Sequence, residues 1–159
     1  MPDQAPLSIG DVPYPNYSVT DSQYIKNALA ITKGNIHTLD AAGRLIVPVS
    51  TTGVADLTKG AFQAKADAVA PTAEDTDKVQ VLKQRSRILL LAPAGLVDGQ
   101  EVELASTGST TDPDKCKAAA SPRTKGYLGK IFEIYSKGTD GVRKQVTADD
   151  DLVVIDLEI

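Results

Sequence analysis

Tryptophan is absent from the 159-residue chain, and aromatic residues make up only 4% of it. The core must therefore be built from Val, Ile, Leu and Ala, and large aromatic anchors for partner surfaces are scarce. There is a single cysteine, Cys116, which excludes an internal disulfide and any Cys-x-x-Cys metal pair. Stability has to come from burial and association. There is also a single histidine, His37. The longest apolar run, Ile88-Leu89-Leu90-Leu91-Ala92-Pro93-Ala94, is too short to span a bilayer. The N-terminus lacks a basic segment followed by an apolar stretch, so no signal peptide is read there, and synthesis in the cytoplasm is expected.

What is present fits a folded domain. Hydrophobic residues reach 42%, and a chain of this length buries about 70% of its unfolded surface. The net charge is −4 and the pI about 4.9. An acidic chain repels phosphate, which disfavours direct nucleic-acid binding.

Two regions are read along the chain: an extended arm over 1–22 and a single β-rich domain over 23–159. Pro2, Pro6, Pro13 and Pro15 keep the arm out of helix and central strand. It is either a frayed terminus or an arm whose Tyr14 and Tyr17 dock on a neighbouring subunit. Past Tyr24, short β-prone runs alternate with glycine turns. Ile36 to Leu39 follows Lys33-Gly34-Asn35, and Arg44 to Val49 follows Asp40-Ala41-Ala42-Gly43, with Pro48 marking an edge. Such short strands fit a meander rather than a βαβ unit. Ala61 to Ala70 carries helical spacing at Phe62, Ala66 and Val69, but Phe62 to Ala66 also reads as a strand after Gly60; both readings stand.

Val79 and Val81 alternate with polar neighbours, as a half-buried strand does. Ile88 to Leu91 is apolar throughout, which predicts a strand covered on both faces, one of them a candidate subunit interface. Asp98-Gly99 is a strong turn signal ahead of Gln100 to Leu104, where Val102 and Leu104 point inward. Residues 105–126 are rich in Ser, Thr, Gly, Pro and Lys and predict a long surface loop with one helical turn at Lys115 to Ala120. Leu128 to Tyr135 is a strand. A turn is expected around Lys137 to Gly141, then pairing of Val142 to Val146, then a last strand from Leu152 to Ile159. The fold class is accordingly mainly β, a small barrel or sandwich with one or two short helices.

Chemistry-bearing patterns are few. His37 has Asn35 and Leu39 as its same-face strand neighbours, neither a base nor a nucleophile, and is read as a structural or surface residue. Asp149-Asp150-Asp151 is read as a solvated turn before a strand, with a divalent cation as the alternative. Cys116 lies between Lys115 and Lys117, whose charges would lower its pKa; without a catalytic partner it is read as an exposed, incidental thiol. Arg85 and Arg87 precede the apolar run, and Lys115, Lys117, Arg123 and Lys125 decorate the 105–126 stretch. They are scattered surface cations, or else the four of the 105–126 stretch meet an acidic partner surface, where charge steers association. No phosphate-binding glycine loop occurs. No catalytic, cofactor-binding or metal residue is assigned.

The segments Ala28 to Asn35, Leu39 to Arg44, Thr52 to Ala55, Asp98 to Val102 and Tyr127 to Ile131 resemble, in order and turn pattern, the capsid decoration (cement) proteins of tailed bacterial and archaeal viruses. The resemblance covers about two-thirds of the chain and implies a β-barrel-like fold, trimers on the outer capsid surface and a head-stabilising role without catalysis. It also implies the major capsid protein and other copies of the chain as partners, no cofactor, no nucleic acid and no membrane. The alternatives are a tail or baseplate component, and a small ligand-binding barrel or enzyme built around His37 or Asp149.

Overall fold

The computed structural model describes residues 7–135, 146 and 148–159. They form β1 (Thr20–Tyr24), β2 (Ile36–Leu39), β3 (Leu45–Ile46), β4 (Ser50–Thr51), β5 (Val54–Ala55), β6 (Phe62–Ala64), β7 (Lys78–Leu82), β8 (Arg87–Ala92), β9 (Glu101–Thr107), β10 (Thr110–Ala118), β11 (Tyr127–Tyr135) and β12 (Asp151–Leu157). The only helical element among the described residues is a 3-10 turn, Pro15–Tyr17. The mainly β class expected from the sequence is what the chain adopts. Among the described residues no helix is long and apolar enough to cross a membrane.

The first half makes a five-stranded antiparallel sheet in the order β1-β7-β6-β2-β3. Side chains alternate across a strand, so register decides what each face carries. Leu82 and Gln63 are paired, Gln63 pairs with Ile36, and this face meets the second half of the chain. The opposite face carries Val79, Val81, Ala64 and Leu45 and forms its own small core with Ile25 and Ile31. A parallel bridge between Ile25 and Leu45 brings the end of β1 back to β3 and folds the sheet around that core.

The second half closes a barrel in the order β10-β8-β12-β11-β9, sealed by one parallel pair, Lys115 with Leu91. Ile88, Leu90 and Ala92 of β8, with Val153, Ile155 and Leu157 of β12, fill its interior. Ile36 and Leu82 of the first sheet belong to the same core, which unites the two halves. The intervening residues of β8 and β12 face outward, yet Leu89 and Val154 are wholly buried. Register pairs Leu89 with Val154 and Leu91 with Leu152, which makes one apolar stripe down the outer wall. The chain's own arm covers it: Leu7, Ile9 and Tyr14 pack on the stripe together with Tyr135. The double-sided burial expected of the Ile88 to Leu91 run is thus met inside one chain. Gly34 makes the fit possible, because a Cβ there would stand 1.8 Å from Cγ2 of Ile9.

Two local expectations change, and one open choice is decided. The first part of the long loop expected over 105–126 is instead the hairpin of β9 and β10, which turns at Gly108 with φ +57°, and only residues 119–126 form an irregular connection. Polar composition misled there because one side of this hairpin faces solvent, where Thr and Lys sit comfortably in a strand. For the same reason Lys115 to Ala118 is strand, not a helical turn. Of the two readings of Ala61 to Ala70, the strand holds over Phe62–Ala64, paired on both sides by β2 and β7. The turn read at Lys137 to Gly141 lies outside the described residues. Of Val142 to Val146 only Val146 is described; it accepts a backbone hydrogen bond from Gly95 at 2.9 Å and donates one to Leu96 at 2.7 Å.

Of the polar side chains that join the two halves, Gln63 is the fully buried one among the described residues. Gln63, fully buried, donates from Nε2 to the carbonyl of Gly34 at 3.0 Å and to that of Leu89 at 2.7 Å. Leu89 lies where β8 has lost its ladder to β10, and the amide supplies the missing donor. Replacing Gln63 with Leu strands both carbonyls in the core. The expected cost is about 2 kcal/mol, measured as a lower urea midpoint with an unchanged m-value.

Candidate functional site

A constellation of aromatic and charged side chains surrounds Arg87, the first residue of β8. Its outward side chain stands opposite Asp156 of β12, and Nε donates to the Asp156 carboxylate at 2.9 Å. The guanidinium carbon lies 3.6 Å from the ring centroid of Phe132 and 3.8 Å from that of Tyr17. Tyr14 meets Phe132 edge-on at 5.4 Å, and its hydroxyl donates to Glu133. Burial first, then that carboxylate, push the Tyr14 pKa up to about 12. Tyr17 and Phe132 remain 51% and 39% exposed.

Local sequence explains this placement. The turn Pro15–Tyr17 puts two arm tyrosines on the barrel wall. Ile131 of β11 points into the core, so Phe132 points outward beside them, and a register shift between Ile131 and Glu133 leaves Glu133 on the outer side as well. Arg87 and the two tyrosines were visible as candidates in the sequence. Glu133 was not, because a bulge leaves no mark on period-two alternation, and Phe132 and Asp156 were not, because only long-range strand pairing brings them beside the arginine.

The other candidates disperse. His37 is 2% exposed among the first sheet's side chains, with Nδ1 3.3 Å from the carbonyl of Ile46 and Nε2 without a partner. Of its two expected settings, structural or surface, the structural one applies. Cys116 is not an exposed thiol: it is 1% exposed in the barrel core, and burial raises its pKa to about 12. Alternation along β10 turns Lys115 and Lys117 away from it. Lys115 pairs with Asp150 at 3.2 Å, and Lys117 donates to the carbonyls of Gly53 and Ser106 at 2.9 and 3.2 Å.

Asp149 and Asp150 lie in an exposed turn, where Asp149 accepts from the backbone of Ala94 at 2.9 Å, and Asp151 opens β12. Among the described residues no group of three or more His, Cys, Asp or Glu side chains is placed to hold a metal ion. Arg123 pairs with Glu101 and lies over the ring of Tyr127 at 4.0 Å, while Arg85 and Lys125 are exposed.

Glu103 was hidden from sequence reasoning. Alternation around Val102 and Leu104 pointed it to solvent, but it is 3% exposed. It accepts from the backbone of Ala120 at 3.0 Å and from the hydroxyl of Thr124 at 2.6 Å, which fastens the connection between β10 and β11.

No family model matches the chain, and neither does any curated protein or solved structure.

His37 yields a pH dependence with a definite sign. Desolvation holds its pKa below the ordinary 6.5, only partly offset by the bond to Ile46. The unfolded chain therefore takes up a proton near pH 6.5 that the folded chain refuses. Stability is full above that pH and declines as the pH falls toward the folded pKa. Urea midpoints measured from about pH 8 down to about pH 5, the interval in which imidazole titrates, are expected to fall in the wild type. In His37→Leu they stay nearly level until the carboxylates begin to titrate.

Proposed function

We propose that this chain is a structural virion protein that binds the outer face of the major capsid lattice of a tailed virus and stabilises the head as a homotrimer. The observation that carries the reading is the composition of the Arg87 surface. The chain has five tyrosines and two phenylalanines, yet Tyr14, Tyr17 and Phe132 gather at one partly buried arginine. Aromatic residues and arginine are the types that dominate protein–protein hot spots, so a sequence poor in them has concentrated them where a protein partner can reach. The resemblance in turn order to capsid decoration proteins supplies the kind of partner.

In this reading the chain does mechanical work and no chemistry. Each copy bridges neighbouring capsid subunits, binding only the assembled lattice stabilises it by mass action, and many modest contacts add through multivalency.

Quantitative mass spectrometry of particles from the virus or provirus that carries the gene tests this. A copy number comparable to that of the major capsid protein is expected, with the chain released as a trimer on mild disruption. A handful of copies per particle would assign it to the tail or baseplate, and absence from particles would overturn the virion reading altogether.

A further inference from the structure

Arg87 is fixed in place but not used up. A guanidinium has five N–H donors, and among the described residues only the one on Nε has a protein acceptor, Asp156. Glu133, the other carboxylate beside the cluster, takes the hydroxyl of Tyr14 instead. Among the described residues nothing accepts from the two terminal amino groups of Arg87. The guanidinium carbon lies 3.8 and 3.6 Å from the ring centroids of Tyr17 and Phe132, and with Nε held by Asp156 the group is anchored before any partner arrives. The side chain is 16% exposed, and Tyr17 and Phe132 border it with accessible apolar surface.

We infer that Arg87, Tyr17 and Phe132 form a docking site for a protein segment that presents a carboxylate flanked by apolar side chains. The carboxylate takes the paired terminal N–H groups of the fork, for which its two oxygens are the matching acceptor. The flanking apolar groups cover the rings and remove water from the ion pair, which strengthens it. A polyphosphate or nucleic acid is a poor occupant, because a chain of net charge −4 offers it one cation among apolar neighbours. Tyr17 belongs to the arm, so the site exists only while the arm lies on the barrel wall. The inference specifies the contact chemistry of the capsid-facing surface proposed above and in that respect rests on that reading.

The test uses the full chain and a blocked peptide of alternating leucine and glutamate, followed by the NMR signals of the Arg87 Nε–H and the Tyr17 and Phe132 rings. Saturable shifts at these three residues are expected. Binding should weaken about tenfold or more, as loss of a desolvated charge pair does, when glutamine replaces glutamate in the peptide. The same loss is expected in Arg87→Lys, which keeps the charge but not the planar fork, and Phe132→Leu should weaken binding while leaving the spectrum of the core unchanged. The inference is overturned by no shift at Arg87, by equal binding of the glutamine peptide, or by wild-type affinity in Arg87→Lys.

Co-sedimentation with viral heads separates the two readings. Wild type and Arg87→Lys binding heads equally would remove this site and leave the capsid role standing. Glutamate-peptide binding without head binding would do the reverse.

Discussion

Two adjacent barrel strands, β8 and β12, are apolar on both faces, and this constraint shapes the rest of the molecule. One face of each fills the barrel. The other cannot be left to water, since Leu89, Leu91, Leu152 and Val154 line up into a single stripe. The chain meets the constraint with its own N-terminal arm. That choice explains Gly34, which lets Ile9 approach, and the tyrosines of the arm, which have apolar bodies to bury and hydroxyls to satisfy at the rim. The Arg87 cluster is the upper end of the same seam, where the stripe gives way to the Arg87–Asp156 cross-strand pair.

The polar groups inside the molecule act as fasteners. Gln63 joins the first sheet to the barrel at the place where β8 lacks a neighbour, and Glu103 fastens the β10–β11 connection. Both are nearly or wholly buried. In each case the side chain reaches backbone groups that no strand can serve, and the cost of leaving such groups unpaired in a core holds it there. The same rule, applied to backbone carbonyls, accounts for Lys117, whose ammonium bridges Gly53 and Ser106.

Much of the fold was legible from alternation and turn chemistry. Ile36 to Leu39, the strand at Val79 and Val81, the run at Ile88 and the final strand all lie where the residues indicate. The β9–β10 hairpin was not legible, because a strand exposed on one side and rich in Thr, Asp and Lys resembles a loop. Cys116 shows how flanking residues mislead: Lys115 and Lys117 are neighbours in sequence but point away from it in a strand, so its surroundings are the apolar interior. The candidate surface was half legible. Arg87, Tyr14 and Tyr17 stand out by type, whereas long-range pairing alone decides that Phe132 and Asp156 lie beside the arginine.

The position of β12 has a consequence for how the protein is made. It lies between β8 and β11, yet it is the last strand of the barrel to be translated. On the ribosome, β8 and β11 emerge without the strand that separates them, each with a free edge of unpaired amides and carbonyls. The first sheet, whose strands all precede β8, can assemble while translation continues, but barrel closure waits for the final strand. The interval before it arrives is when the nascent chain is most open to pairing with the wrong neighbour.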